Sequence, residues 1–250
     1  MKISVITVCF NSEKTIENTI KSVINQSYKN IEYVIIDGGS TDNTKKLINK
    51  YRNNISIIKS ETDKGIYDAL NKGIALSSGE IISILHSNDM FYNEETLTKV
   101  NKYFHNHPDL KVLLSGIAFK KNFGDERITR YYSSNFFKPW MLKFGFSPPH
   151  TSSFITKETY EKVGFYDTSF KIAGDFEFFV KCFLKERISY IISNQCSVIM
   201  SSGGLSGKNF NSYLISSLEI NKALKKNNYY SNILLTFLRF PFKLIQFLIK

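Results

Sequence analysis

The sequence is poor in cysteine and proline, with 3 Cys and 5 Pro among 250 residues. Cys9, Cys182 and Cys196 are widely spaced and odd in number, so they predict neither a disulfide framework nor a paired-cysteine metal site and favour a reducing compartment. Few prolines together with 13 Gly exclude a collagen-like or linker-dominated chain. The GxxxxGKS/T and GxGxxG phosphate loops are missing too, which disfavours a P-loop NTPase and a dinucleotide-dependent dehydrogenase.

Acidic residues are scarce beside basic ones: 33 Lys and Arg face 22 Asp and Glu, which gives a formal net charge of +11. This charge raises nucleic-acid binding as one hypothesis. The positive residues are spread along the chain with an excess near its end, however, and no nucleic-acid-binding motif is present, so we expect no nucleic-acid partner. A hydrophobic fraction of 42% is enough for a packed core and excludes wholesale disorder.

No long apolar run opens the chain, because residues 1–10 are followed at once by the polar residues 11–14. This pattern predicts that the chain carries no secretory signal and stays in the cytoplasm. The length predicts one large domain, or one domain with an appendage.

The end of the chain is different, since residues 233–249 are nearly all apolar. Arg239, Lys243, Gln246 and Lys250 follow one another at spacings of 4, 3 and 4, which places them on one stripe of a helix. A narrow cationic stripe on a broad apolar helix predicts an amphipathic helix that lies in the surface of an anionic membrane leaflet. The alternative is that its apolar face packs on the rest of the protein or on a second subunit.

Short β-branched strands alternate with helical patterns in the first part of the chain. The predicted strands are residues 2–8, 31–36, 55–58 and 80–85. This alternation predicts an α/β fold in which parallel strands of one sheet are joined by crossover helices. Beyond residue 89 the alternation loosens, with two short strands predicted at 188–192 and 196–200 and a long polar helix at 209–226.

Polar residues stand beyond the carboxyl ends of three predicted strands, at 7–11, 37–42 and 86–89. Ligands of open α/β sheets bind at that edge. A carboxylate at Asp37 suits hydrogen bonds to a nucleotide's ribose or base, and Asp89 could hold a divalent cation through its oxygens. Each aspartate alone could equally be a turn residue or a helix cap.

Three segments, 3–12, 32–42 and 63–73, resemble in sequence and order the motifs of the family 2 glycosyltransferases. Within that family the chain looks like the branch that builds bacterial surface polysaccharides, including colanic-acid-type enzymes. The resemblance covers roughly residues 1–206 and is densest in 1–92. It implies an α/β fold of the GT-A (Rossmann-like) type, with a mixed, mostly parallel sheet and flanking helices. It also implies a nucleotide-diphosphate sugar donor, a divalent metal (Mn²⁺ or Mg²⁺), a glycan or lipid-linked acceptor, and inversion at the anomeric carbon.

The resemblance also divides the chain. It implies a glycosyltransferase domain over 1–206, with a nucleotide-binding half (1–92) and an acceptor half (93–206). Residues 207–250 then form a helical, basic segment that we expect to associate with the inner face of the cytoplasmic membrane.

Donor-side residues are carried over from the resemblance position by position. They comprise the lining of the base pocket, two contacts to the nucleoside, a loop that closes over the nucleotide, and two residues near the donor sugar. In that order they are Thr7, Val8, Phe10 and Asn11; Asp37 and Ser40; Asp63, Lys64 and Gly65; and Asp68 and Asn71. Lys64 could neutralise diphosphate charge or be a solvated loop lysine.

The metal motif of the family, usually two acids, stands here as residues 87–89. Asn88 replaces one carboxylate and is kept as a donor contact, so Asp89 is the one anionic ligand. We therefore expect the metal to bind weakly without the donor's phosphates. The substitution is compatible with an active enzyme, or with a catalytically impaired member that serves as a binding partner.

Asp175 lies where the family carries its general base, at the start of a predicted helix whose N-terminus favours the ionised form. Glu177 is the second choice, and Asp175 could instead only cap the helix. His150 resembles an acceptor-side residue that contacts acceptor or phosphate, or is a structural hydrogen-bonding group. The glycine-containing segment 202–206 resembles a loop that closes on the donor diphosphate.

The sequence thus predicts an inverting glycosyltransferase of surface polysaccharide or lipopolysaccharide synthesis. A nucleotidyltransferase shares the nucleotide-binding sheet, but it needs a glycine-rich basic loop after the first strand, which residues 7–13 lack.

Overall fold

The computed structural model describes residues 1–122, 124–125, 127–201, 210–232 and 235–236. The first part of the chain forms four strands joined by helices. In chain order these are β1 (Ile3–Cys9), α1 (Ile16–Ile24), β2 (Ile31–Asp37), α2 (Thr44–Lys50), β3 (Ile57–Ser60), α3 (Ile66–Leu76) and β4 (Ile81–Ile84).

The second part is less regular. It contains β5 (Asp89–Phe91), α4 (Thr96–Asn106), β6 (Val112–Lys120), β7 (Ile128–Tyr132), β8 (Ser153–Thr156), α5 (Lys157–Val163), α6 (Gly174–Phe179), β9 (Tyr190–Ser201) and α7 (Phe210–Lys226). After α6 the chain continues as a π-helical segment, Val180–Lys185.

In the part of the chain that the structure describes, nine strands form one mixed sheet in the order β3-β2-β1-β4-β8-β6-β9-β5, and β7 pairs with β6. The four strands of the first half are parallel to their neighbours, as the alternation predicts. β8 then joins antiparallel to β4, so the sheet is mixed. Because β1 and β2 pair in register from Ile3 with Ile31 to Cys9 with Asp37, their carboxyl ends lie side by side.

The two short strands predicted at 188–192 and 196–200 are one strand, β9. It runs parallel to β6, and the pairing is irregular between Leu114 and Ile117, where Gly116 pairs with Cys196. The irregular pairing accommodates the polar residues that interrupt the apolar pattern of the sequence. The strand therefore continues through a stretch where the apolar pattern alone predicts a break.

Both faces of the sheet are covered by packed side chains. Along β1, Ile3 and Val5 belong to the core on one face, whereas Ile6 and Val8 belong to the core on the other. Such buried, β-branched strands are typical of parallel sheets with helices on both sides. The sheet is therefore packed on both faces, and the polar loops at its carboxyl edge lie outside these two cores.

α7 packs on the α/β domain through Ile220, Ala223 and Leu224, which are buried with α6 in one core. Within the ranges that the structure describes, no helix is both long and apolar enough to cross a membrane. The amphipathic helix predicted for the end of the chain lies outside the described residues except at 232 and 235–236, and the predicted loop 202–206 lies outside them entirely.

Glu32 of β2 provides a pH test of how this strand is bonded to β1 and to the chain just after α3. Its side chain, 8% exposed, accepts hydrogen bonds from Ser4, Ser78 and Lys2. Burial raises the pKa of Glu32, but these bonds outweigh it and lower that pKa from 4.5 to about 2. The carboxylate therefore stabilises the fold above pH 4.5 and loses this effect as the pH falls towards 2.

We predict that Glu32→Gln lowers the free energy of unfolding at pH 6 by on the order of 1–3 kcal/mol, and by less at pH 3. Urea unfolding at the two pH values measures the difference. Glu158→Gln, at an exposed ion pair with Lys111, is the matched control and should change little. A loss for Glu32→Gln that is equal at both pH values would contradict the assignment.

Candidate active site

Asp37 closes the carboxyl end of β2 and is fully buried. It accepts hydrogen bonds from the backbone N–H of Ser40 at 3.1 Å, from the Ser40 hydroxyl, and from the Ser60 hydroxyl at 2.6 Å. The carboxylate therefore shapes the turn after β2 and ties it to the end of β3. This is the site of the predicted nucleoside contacts Asp37 and Ser40, and the structure brings them together.

Asn11 joins the loop after β1 to the same turn. Its backbone N–H donates to the Ser40 hydroxyl at 2.8 Å, and its side-chain carbonyl accepts from the Thr41 N–H at 2.9 Å. These bonds hold Asn11 at a φ of 46°, a conformation that asparagine tolerates. Beside it the Phe10 ring is 62% exposed and is available to a ligand.

Thr7 and Val8 are placed differently from Phe10 and Asn11. The Thr7 hydroxyl is buried against the Tyr33 hydroxyl, 3.2 Å away, and Val8 lies in the core between sheet and helices. Since both side chains are taken up by the interior, only their backbone can face a ligand.

An ion-pair cluster centred on Lys72 orders the segment before α3. The Lys72 ammonium lies 2.6 Å from Asp63, 2.9 Å from Glu61 and 3.0 Å from Asp68. The hydrogen bonds that Lys72 donates to Asp63, Glu61 and Asp68 raise the pKa of Lys72. One lysine thus contacts three carboxylates, among them Asp63 and Asp68, which are predicted contacts of the nucleotide-sugar donor.

Lys64 and Gly65 form the exposed turn that leads into α3. The Lys64 backbone N–H donates to Asp68 at 3.0 Å, and Gly65 has a φ of 121° that a side chain would strain. Asn71, one turn further on, donates its amide to the Tyr166 carbonyl at 2.8 Å and accepts from the Tyr166 N–H at 3.0 Å. Its side chain therefore fastens α3 to the segment before α6.

Asp175 is the second residue of α6, and its side chain is 23% exposed. Its Oδ2 lies 3.1 Å from Nδ1 of His150, and its Oδ1 accepts from the Tyr67 hydroxyl at 3.3 Å. The predicted base and the predicted acceptor-side histidine are therefore in direct contact. Their partial exposure leaves the carboxylate open to an incoming hydroxyl group.

The hydrogen-bonded line continues from His150 to His86, whose Nε2 atoms lie 2.6 Å apart. Burial, and then the nearby His150, lower the pKa of His86 to about 3, so this ring is neutral. With one Nε2 atom donating to the other, Nδ1 of His150 is the ring nitrogen that faces Asp175. The pair of histidines thus fixes which ring nitrogen faces the carboxylate.

The environment of Asp175 favours its ionised form. Burial raises the pKa of Asp175, but the hydrogen bond and charge of His150, together with bonds from Phe176 and Tyr67, lower it below the ordinary value. A carboxylate that is ionised and partly exposed can accept a proton.

Asp89 differs from Asp175 in its hydrogen bonding, because both of its carboxylate oxygens are buried and lack a hydrogen-bond partner. This burial raises the pKa of Asp89 to about 7. A buried carboxylate with two orphaned oxygens fits the oxygen donor that a divalent cation prefers. No group of three or more His, Cys, Asp and Glu in the described part of the chain could hold a metal ion, so a cation at Asp89 would need further ligands from outside these residues.

Asn88, next to Asp89, lies at the sheet edge. Its backbone carbonyl accepts from the backbone N–H and the hydroxyl of Ser201, at 3.4 and 3.3 Å, which joins the loop to the end of β9.

Glu177 does not share the surroundings of Asp175. Its side chain is 2% exposed and contacts Lys181 at 3.1 Å and the Asn227 amide at 3.2 Å. Two residues along a helix point to nearly opposite sides, so Glu177 faces α7 when Asp175 faces the histidines. Of the two predicted bases, the structure brings only Asp175 to His150.

The family profile described as Glycosyl transferase family 2 matches residues 4–180. The chain belongs to this family. It is 32% identical over 183 residues to a glycosyltransferase of Mycobacterium tuberculosis, an alignment that covers 73% of this chain and 69% of the relative. It is also 35% identical over 114 residues to the Escherichia coli UDP-Glc:alpha-D-GlcNAc-diphosphoundecaprenol beta-1,3-glucosyltransferase WfaP, covering 45% of this chain and 44% of that enzyme.

Solved structures show the same GT-A fold for this transferase. The S. aureus protein TarS in complex with UDP-GlcNAc superposes with a TM-score of 0.69 at 22% identity, covering 90% of this chain and 66% of TarS. The mannosyltransferase PcManGT from Pyrobaculum calidifontis, in complex with GDP-Man and Mn²⁺, gives a TM-score of 0.66 at 15% identity, covering 92% and 65%. The transferase thus spans slightly less than two thirds of these two chains. None of these relatives singles out a colanic-acid-type branch.

Three residues that contact predicted site residues are not themselves among the predicted ones, although Tyr67 and Lys72 stand in the segment 63–73 and His86 in the polar segment 86–89. Lys72 has the signal of an acid four positions before it, at Asp68, the spacing of a helical ion pair. Tyr67 and His86 have no such signal, since their partners lie 108 and 64 positions away in sequence. Only the folded sheet brings these groups to one edge.

Gly174 tests how tightly Tyr67 packs beside Asp175. A Cβ at this position would lie 2.8 Å from ring atoms of Tyr67, closer than packed atoms approach. We predict that Gly174→Ala lowers the free energy of unfolding by about 1–3 kcal/mol through overpacking. Gly124→Ala is the matched control, since its Cβ would meet no atom within 4 Å. Equal thermal unfolding of the two variants would show that the Tyr67 contact is loose.

Proposed function

We propose that this transferase moves a sugar, with inversion at the anomeric carbon, from a nucleotide-diphosphate sugar to a glycan or lipid-linked acceptor. The product would enter surface polysaccharide or lipopolysaccharide synthesis. Within this proposal Asp175 is the general base, Asp89 holds a divalent metal, and the loops after β1, β2 and β3 hold the nucleotide.

The observation that carries the proposal is the line of side chains from His86 to Asp175. His86 belongs to the loop of Asp89, because the Asp89 backbone N–H donates to the His86 carbonyl at 2.9 Å. From His86 the contacts run through His150 to Asp175. A residue suited to a cation and a residue suited to accept a proton are thus joined at one edge of the sheet, as transfer from a diphosphate requires.

Asp175 accepts the proton of an acceptor hydroxyl while the oxygen of that hydroxyl forms the new bond to the anomeric carbon. The bond from that carbon to the diphosphate oxygen breaks on the opposite face, which inverts the configuration. The proton remains on Asp175 and passes to solvent after release. His150 keeps the carboxylate oriented through its Nδ1–H, so that the base starts the step ionised.

When bound, Mn²⁺ or Mg²⁺ would offset the negative charge that develops on the leaving diphosphate. Asp89 is the residue that would hold it, and the donor's phosphate oxygens supply the further ligands that the described residues lack. The Mn²⁺ named in the PcManGT complex supports a divalent ion of this kind.

Donor and acceptor classes follow from the names of the relatives. WfaP is named for UDP-Glc and for an undecaprenol-linked acceptor, and TarS holds UDP-GlcNAc. We extend these classes to this chain as a proposal: Phe10, with the backbone of residues 7, 8 and 11, faces the base, and the turn at 37–40 frames the nucleoside. Lys64 and Gly65 close over the nucleotide, and α3, which carries Asp68 and Asn71, flanks the donor sugar with Asn88.

A lipid-linked acceptor also fits the predicted membrane-binding end of the chain. The transferase would then act as a peripheral protein at the inner face of the cytoplasmic membrane, with the cations of 239–250 against anionic lipid.

A nucleotide panel tests the donor class. We predict that one of UDP, GDP, dTDP or CDP raises the thermal stability of the protein in a metal-dependent way, by about 2.7 kcal/mol at a hundred times its dissociation constant. Asp89→Asn should remove the metal dependence. Asp109→Asn, far from the site on the turn after α4, is the control and should respond like the wild type. A flat response to every nucleotide with and without Mn²⁺ would refute the donor site.

A pH profile tests His150 as the partner of Asp175. Because the His150 contact opposes the effect of burial, His150→Phe should raise the pKa of Asp175 and move the acidic limb of kcat/KM to higher pH. The base acts unprotonated, so activity is lost as the pH falls through that pKa. His105→Phe, on the exposed face of α4, serves as control. An acidic limb that does not move in His150→Phe would argue against Asp175 as the base.

A further inference from the structure

A carboxylate of α7 reaches back to the segment that leads into α6. Glu219 accepts the backbone N–H of Lys171 at 2.8 Å through Oε1, and the N–H groups of Ile172 and Ala173 at 2.8 and 2.9 Å through Oε2. Three consecutive N–H groups that converge on one anion form a concave, electropositive cradle. The charge of Glu219 strengthens each of these bonds.

The same segment is held from its other side by Tyr67. The Tyr67 hydroxyl donates to the Ile172 carbonyl at 2.6 Å and also lies 3.3 Å from Asp175. Its ring leaves no room for a side chain at Gly174. Residues 171–173 are therefore clamped between Glu219 and Tyr67, and Asp175 follows two residues later.

α7 is firmly attached along this region, so Glu219 is not a loose contact. Ile220, Ala223 and Leu224 are buried in the core. Lys226 pairs with Asp167, and the Asn227 amide donates to Glu177 of α6 at 3.2 Å. The helix thus holds the chain before and within α6 at several points.

We propose that Glu219 is a positioning residue for Asp175, acting through the clamp on residues 171–173. The proposal rests on the proposed function, in which Asp175 is the base. Glu219 lies outside residues 4–180, which the family profile matches, so a helix beyond the matched region completes the active site.

The rate that a general base supports depends on its position and orientation relative to the substrate. A base must lie within hydrogen-bond reach of the proton that it takes, and a displacement of about 1 Å can reduce a rate by roughly 100-fold. A carboxylate can satisfy all three N–H groups, whereas the amide of glutamine has one acceptor oxygen and two N–H donors. Replacing Glu219 with glutamine keeps the volume and removes at least one arm of the clamp.

The first experiment compares kinetics and binding. We expect Glu219→Gln to lower kcat by about 10- to 100-fold with nucleotide affinity and donor KM within about twofold of wild type. Glu158→Gln, at an exposed ion pair on α5, removes a carboxylate elsewhere and should leave kcat unchanged. A Glu219→Gln enzyme with wild-type kcat, or one that loses kcat and nucleotide binding together, would overturn the proposal.

A double-mutant cycle separates positioning from general destabilisation. If Glu219 acts through Asp175, then Glu219→Gln should add little to the loss of kcat in an Asp175→Asn enzyme. If Glu219 only supports the fold, the two losses should multiply. Glu219→Asp, which keeps the charge but shortens the reach to residues 171–173, provides a second variant should Glu219→Gln fold poorly, and it should be equally silent in the Asp175→Asn background.

A spectroscopic readout keeps this test separate from the proposed function. In histidine-labelled protein, the His150 Nδ1–H signal reports its bond to Asp175, and we expect it to shift in Glu219→Gln but not in Glu158→Gln. If the wild type transfers no sugar from any donor, the proposed function fails, while this signal still decides whether Glu219 places Asp175. An unchanged signal in Glu219→Gln would overturn the positioning role whatever the activity.

Discussion

The site depends on one carboxylate that stays ionised although burial opposes its charge. Asp175 keeps its charge because His150 and Tyr67 bond to it and because it stands at the start of α6. His86 fixes His150 in turn, and Asn71 and Tyr67 fasten α3 to the segment before α6. The groups that surround Asp175 thus hold this one side chain in place and favour its ionised form.

Within the described ranges, the buried carboxylates are of two kinds: those with polar partners in the protein, and Asp89, whose oxygens have none. Glu32 and Asp37 accept several hydrogen bonds each, and Glu177 is paired with Lys181. Asp89 has neither hydrogen bonds nor an ion pair to its oxygens. A buried acid without hydrogen-bond partners is costly unless a ligand supplies them, and this cost is the basis on which we propose Asp89 as a metal ligand. Whether a buried acid has hydrogen-bond partners thus separates the acids that stabilise the fold from an acid that is suited to bind a ligand.

Features that depend on neighbouring residues could be predicted from the sequence. β-branched strands and helical repeats gave the α/β alternation, and the polar residues after β1, β2 and β4 lie at one edge because parallel strands end together. The long-range partners could not be predicted. His86 and His150 look like isolated histidines, and the bond between them joins residues 64 positions apart. Asn71 stands in a motif that suggests a donor contact, yet its amide bonds to the Tyr166 backbone, which no local pattern indicates.

The roles of Asp175 and Glu177 illustrate the same limit. Both acids stand at the start of one predicted helix, and the sequence could rank them but not separate their surroundings. The fold separates them because α7 covers the side of α6 that carries Glu177 and leaves Asp175 with the histidines. Packing between distant elements thus decides which acid can meet a substrate.

The most direct test of the account compares wild type with Asp175→Asn once the donor nucleotide is known. We expect the substitution to lower kcat by roughly 100- to 10,000-fold, as for loss of a general base, while nucleotide affinity stays within about twofold. The residual product and the wild-type product should both carry the inverted anomeric configuration. An Asp175→Asn enzyme that turns over near the wild-type rate, or a wild-type product with retained configuration, would contradict the assignment of Asp175 as the base of an inverting transfer.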